Sequence, residues 1–170
     1  MKTTTLLIAF ALTALGFLGA GAQEPMDLGQ LVRRGDSYLH PGTFEPFAGP
    51  VAGWWTAGAA SEGMPRMLRE RGTLVDGKWD GVHEWFHLSG ELATMETYRN
   101  GHLNGPSETY FKTGQLSARE HYVNGQLDGP YESYWHRGRL AERGEWDAGE
   151  PCGNWLSFGR TVIYPPCAAQ

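Results

Sequence analysis

The chain is 170 residues long, which suits one domain rather than two, with a net charge of −5 and 12% aromatic residues. A mildly acidic chain without a Lys/Arg run is poorly suited to nucleic acid or to an anionic membrane surface. Its small arginine groups, such as Arg137, Arg139 and Arg143, are interspersed with acidic residues and read as mixed solvated surface.

Residues 1–22 read as a secretory signal peptide: a basic start at Met1-Lys2, an uncharged apolar run over 6–17, and the small-residue exit Ala20-Gly21-Ala22. The run is too short to stay behind as a membrane anchor. No cysteine follows directly for lipid attachment, so the expected product is exported, periplasmic or secreted. One domain is then expected over 23–170. Its leader carries Leu28, Leu31 and Val32, and a divergent first repeat covers about 34–58, where Gly49, Trp54 and Gly58 keep the offsets of Gly81, Phe86 and Gly90. An insertion over 59–66 reads as a surface loop.

From about residue 67 to 158 one unit recurs with a step of 24 residues. Gly77, Gly101, Gly125 and Gly149 keep that step, as do Gly81, Gly105, Gly129 and Gly153. So do Leu68, Leu92, Leu116 and Leu140, the column Leu74, Tyr98, Tyr122, Trp146, and the column Phe86, Tyr110, Tyr134, Phe158. Several columns in one register define a tandem repeat. Within a unit the apolar period is two, so each unit predicts a β-hairpin. In the second, 108–112 is a strand, 112–115 a turn, and 116–122 returns with Leu116, Ala118, Glu120 and Tyr122 on one face. Asn124-Gly125 marks the next turn. Hairpins alone are marginal, so the units are expected to stack edge to edge in one elongated twisted antiparallel sheet, an all-β fold. Residues 159–170 read as a terminating cap.

Cys152 and Cys167 are the only cysteines, and in an oxidising compartment they predict a disulfide. Cys152 stands where Asp80, Asn104 and Asp128 stand in the other units.

The segments Tyr98-Arg-Asn-Gly-His-Leu-Asn-Gly-Pro-Ser-Glu-Thr-Tyr and Tyr122-Val-Asn-Gly-Gln-Leu-Asp-Gly-Pro-Tyr-Glu-Ser-Tyr resemble MORN-type repeats. More narrowly they resemble the bacterial variant labelled the YwqK family of antitoxins, and Arg34-Gly35-Asp36-Ser37-Tyr38 is similar to how those proteins open. The resemblance implies stacked hairpins and a binding role, and supplies no catalytic residue.

His83-Glu84-Trp85-Phe86-His87 matches the zinc-peptidase pattern HExxH. The pattern needs a helix, whereas the repeat puts it on a strand, where positions four apart lie about 13 Å from each other. The histidines are therefore expected to face solvent on a hairpin, with no metal and no cofactor. The carboxylates Glu84, Glu108 and Glu132 are expected to stack in a ladder paired with neighbouring Arg or Lys.

The expected protein is a non-enzymatic scaffold that binds a protein partner through one sheet face. Toxin neutralisation is one special case. Cell-wall glycan binding through aromatic platforms is a rival of another class. Trp85, His87, Phe111 and Trp135 lie outside the recurring columns, so the stack does not require rings there, and they are the candidate anchors.

Overall fold

The structure is a computed structural model that describes residues 24–55 and 66–168. The expected signal peptide, and all but Arg66 of the expected insertion, lie outside the described residues. The N-terminal part holds β1 (Met26–Asp27), a 3-10 turn over Leu28–Gln30, β2 (Val32–Arg34), β3 (Ser37–Leu39) and β4 (Gly49–Trp55). The regular units supply β5 (Met67–Val75), β6 (Lys78–Trp79), β7 (Gly81–Phe86), β8 (Leu92–Arg99) and β9 (His102–Tyr110). They continue with β10 (Leu116–Val123), β11 (Gln126–Leu127), β12 (Gly129–Tyr134), β13 (Leu140–Asp147) and β14 (Glu150–Ser157), followed by β15 (Arg160–Ile163). One sheet runs β1-β4-β5-β7-β8-β9-β10-β12-β13-β14-β15, with β6 on β5 and β11 on β10, while β2 and β3 pair separately. Every pairing is antiparallel except β1 on β4. The fold is the expected stack of hairpins.

Two turns alternate along it. The tight one is Asn-Gly or its equivalent with both residues at positive φ, as at Asn124 (50°) and Gly125 (84°). That is the geometry whose twist matches antiparallel strands. The glycine then reaches back to the preceding unit: the N–H of Gly101 donates to Trp79 O, that of Gly125 to Leu103 O and that of Gly149 to Leu127 O, each at 2.8 Å. An acidic side chain adds a second stitch, Asp80 accepting from the Asn100 N–H at 3.0 Å and Asp128 from the Ala148 N–H at 3.3 Å. In the last unit the disulfide between Cys152 and Cys167 takes over that position.

Ala148 occupies the tight turn at φ 48°, where the other units carry Asp76, Asn100 and Asn124. Left-handed backbone costs an alanine roughly 1–2 kcal/mol, and Asn tolerates it better. Ala148→Asn is expected to stabilise the fold by about 0.5–1 kcal/mol. Urea denaturation measures this, and a loss of stability would contradict the turn geometry.

The wider turn follows β7, β9 and β12 and closes with the Gly90, Gly114 and Gly138 N–H groups on the carbonyls of His87, Phe111 and Trp135. A β-bulge follows each one: Leu116 lies opposite Tyr110, yet Ala118 lies opposite Thr109. The extra residue moves Leu116 onto the opposite face from Ala118, Glu120 and Tyr122, which corrects the expectation that all four share a face. At the C-terminus the chain turns early, at Phe158-Gly159 (φ 49° and 81°). The cap is therefore one more strand, β15, paired with β14 and itself exposed at the sheet edge.

Apolar packing is concentrated at the two ends. At the N-terminal end Leu28, Leu31, Val51 and Leu74 are buried, with Met26, Tyr38, Phe47 and Trp79 against them. At the other end Trp155 lies flat over Gly144, where a Cβ would fall 2.1 Å from the indole, and contacts Tyr131, Trp146 and Tyr164.

Candidate functional site

Strand pairing sorts the side chains onto two faces of different character. Directly opposed residues on one face form the row Arg71, Glu84, Met95, Glu108, Arg119, Glu132, Arg143, Leu156, running strand to strand from β5 to β14. Three arginine–glutamate pairs close along it: Arg71 with Glu84, Arg119 with Glu108 at 2.8 Å, and Arg143 with Glu132 at 3.0 Å. The Tyr110 and Tyr134 hydroxyls donate to Glu108 and Glu132. This ion-pair face matches the expected carboxylate ladder with arginine partners. The Tyr110 pKa is pushed up to about 12, first by its hydrogen bond to Glu108 and then by burial. The same bond, with Arg119, holds Glu108 below the usual carboxylate range.

The opposite face carries the row His83, Glu96, Ser107, Glu120, Tyr131, Gly144. Beside it lie Leu74, Trp79, Tyr98, Tyr122 and Trp146, so it holds both apolar ends and is the core face. Its tyrosines also donate to glutamates two residues back, Tyr98 to Glu96 at 3.0 Å and Tyr122 to Glu120 at 2.8 Å. Burial pushes both phenols far up, followed by the charge of Glu96 for Tyr98 and by the hydrogen bond to Glu120 for Tyr122. Here the glutamates differ from those of the other face. Among the described residues no arginine or lysine pairs with Glu96, Glu120 or Glu142.

His83 does not face solvent. It is 2% exposed, stacked on Trp79 at 3.9 Å, with Trp85 and Tyr98 alongside. Its strand position falls on the core face because β7 alternates from Gly81, and the repeat column that gives Ser107 and Trp155 is buried as well. Its Nε2 lies 3.1 Å from Glu70, a carboxylate that also accepts from Arg69. His87 instead sits in the wide turn, its Nε2 3.2 Å from Tyr110 O. The HExxH residues thus form a strand and a turn, with the two imidazoles engaged in different places.

Burial pushes the Glu70 pKa up, but the hydrogen bonds and charges of His83 and Arg69 outweigh it and the net shift is downward. A carboxylate depressed in the folded state contributes stability above its unfolded value that is lost as pH falls. Stability is therefore expected to decline on acidification below about pH 4.5, and less steeply in Glu70→Gln. Denaturant midpoints measured across that range check this, and an unchanged slope in the variant would contradict it.

Three of the four candidate anchors line two separate hollows. Trp85 and His87 line a cavity of about 580 Å³ together with Trp55, Leu88, Thr94 and Glu96. Phe111 lies just beyond β9, its ring 5.1 Å from His136. Trp135, 43% exposed, lies 5.7 Å from Phe158 in a separate hollow with Arg139 and Leu140. The four do not form one row on a strand face, because three of them belong to turns. A signal at half the repeat length marks the site's polar residues more directly. Glu-x-Tyr recurs at Glu96, Glu108, Glu120 and Glu132, 12 residues apart, and an odd or even place in that series decides which face each pair occupies.

Comparison with known families matches residues 79–100 and 103–124 to the MORN repeat variant. The chain therefore carries MORN-type repeats, a scaffold type that engages proteins or membranes and is not itself enzymatic. No curated protein and no solved structure matches the chain. No helix among the described residues is long and apolar enough to cross a membrane.

Proposed function

We propose that the protein is an exported scaffold that binds a protein partner across the core face of its repeat sheet. The observation that carries this is the contrast along that face. Both ends are covered, by the N-terminal segment over Val51 and Leu74 and by Tyr164 beside Trp155. The middle, with Trp85, Thr94, Glu96, Thr109 and Tyr122, has no described element packed across it, since substantial contacts run between sheet neighbours. Trp85 and His87 are the anchors within the hollow, and Phe111 and Trp135 extend the surface along the turn edge. Tryptophan and tyrosine dominate the energetics of interfaces. The disulfide between Cys152 and Cys167 fits an oxidising compartment.

Affinity capture from the exported fraction tests this. Trp85→Ser is expected to abolish capture while shifting the melting temperature by only a few degrees. Capture that survives Trp85→Ser but fails in Arg119→Ala would move the site to the ion-pair face. A toxin as the captured partner, encoded next to this chain, would place the protein with the antitoxin-like branch. The same rings can stack on sugars, and retention on purified peptidoglycan with no protein captured would favour a glycan ligand.

A further inference from the structure

The core face carries a set of carboxylates that the fold does not neutralise. Glu96 lies on β8, Glu120 on β10 and Glu142 on β13, and the strand order places each two strands from the next. They are held rather than free to rotate: Tyr98 donates to Glu96, Tyr122 to Glu120, and the Ser157 hydroxyl to Glu142 at 2.9 Å. Thr109 and Ala118 sit directly opposite one another on the same face, in the next row, two residues along the strands from Ser107 and Glu120, and Thr109 is exposed. The glutamates of the other face each face an arginine; these do not.

Resting on the reading of this face as the partner surface, we propose that the partner presents an extended cationic segment in the polyproline II conformation, with Lys or Arg at every third residue. Charge complementarity sets the sign: three fixed carboxylates without counter-charges attract a polycation. Pitch sets the conformation. Two strand spacings are about 9.4–9.8 Å, and three residues of polyproline II advance about 9.3 Å and return the side chain to the same side. A segment lying across the strands would therefore place successive basic residues on Glu96 and Glu120, which share one cross-strand row. Glu142, opposite Ser133 and two residues along β13 from the point where that row continues at Gly144, adds negative charge at its flank. The segment's two intervening residues meet the rings of Trp85, Tyr98 and Tyr122, the kind of aromatic-lined surface on which proline-rich segments dock. An extended β-strand ligand, at about 6.8 Å per two residues, falls out of step with the carboxylates.

The test measures fluorescence anisotropy of labelled peptides with the full chain at low salt. The probes are four repeats of Lys-Pro-Pro, a peptide of the same composition with its lysines clustered, and four repeats of Glu-Pro-Pro. The spaced lysine peptide is expected to bind at least tenfold tighter than the clustered one, and the glutamate peptide not to bind. Glu96→Gln with Glu120→Gln is expected to weaken the spaced peptide at least tenfold, and Glu108→Gln with Glu132→Gln less than twofold. Thr109→Lys, at an exposed position, provides a second variant that adds charge without touching the tyrosine–glutamate bonds and is also expected to weaken binding. Equal binding of both lysine peptides would overturn the polyproline register. Absence of binding, or binding indifferent to Glu96, Glu120 and Thr109, would overturn the proposal as a whole. Partner capture that still depends on Trp85 in that case would keep the protein-binding face and discard only the cationic ligand.

Discussion

Cys167→Ser is expected to lower stability by about 3 kcal/mol, the loop-entropy value for a bridge across 15 residues, while leaving the sheet folded. The bridge is placed where the earlier units use Asp80 and Asp128 to hold the next tight turn. It ties the segment after β15 to β14, where the Gly153 N–H donates to Pro165 O and the Tyr164 N–H to Gly153 O. Loss of the bridge therefore frees the last strand first. Urea titration monitored by far-UV circular dichroism should show the reduced midpoint with most of the β signal retained. A thiol assay on the unfolded, unreduced protein should find no free cysteine; two free thiols would contradict the bridge.

The second large effect separates two neighbours within the HExxH segment. His83→Ala is expected to destabilise by about 2–4 kcal/mol, because it removes a buried ring and leaves the buried Glu70 carboxylate with Arg69 alone. Glu84→Ala removes only a partly exposed ion pair with Arg71 and is expected to cost less than about 1 kcal/mol. A zinc peptidase predicts another pattern, in which Glu84 controls activity and His83 metal content. Parallel denaturation curves and elemental analysis of the two variants distinguish them. One zinc per chain, lost with His83→Ala, would overturn the strand assignment of the whole unit.

The repeat step carries the fold because glycine at positive φ and Asn-Gly turns are local requirements, written into the sequence wherever the chain reverses. The faces were harder to read. A β-bulge after each wide turn inserts one residue, and simple alternation then puts Leu116 on the wrong side of the sheet. The same alternation, followed from Gly81 instead, places His83 inside, yet a histidine on a hairpin reads as solvated until the rings of Trp79, Trp85 and Tyr98 are seen around it. The ion-pair ladder was legible in Glu84, Glu108 and Glu132 because its members share one repeat column. The unpaired carboxylates were less so: Glu96 and Glu120 share a repeat column that continues at Gly144, and Glu142, in the column of Thr94 and Ala118, joins that face only through strand order. Alternation carries the strand on through Phe111, but the wide turn begins at Phe111 and, in the next unit, at Trp135.

The face assignment underlies the functional reading, and neighbouring strands offer a direct way to test it. Thr109 and Arg119 are both exposed and close in the sheet, yet Thr109 lies on the core face and Arg119 on the ion-pair face. Benzoylphenylalanine introduced at either position reports, on irradiation, which face a bound partner covers. The account predicts a covalent adduct with the captured partner from position 109 and none from position 119. An adduct from 119 alone would contradict it and place the partner on the arginine–glutamate ladder.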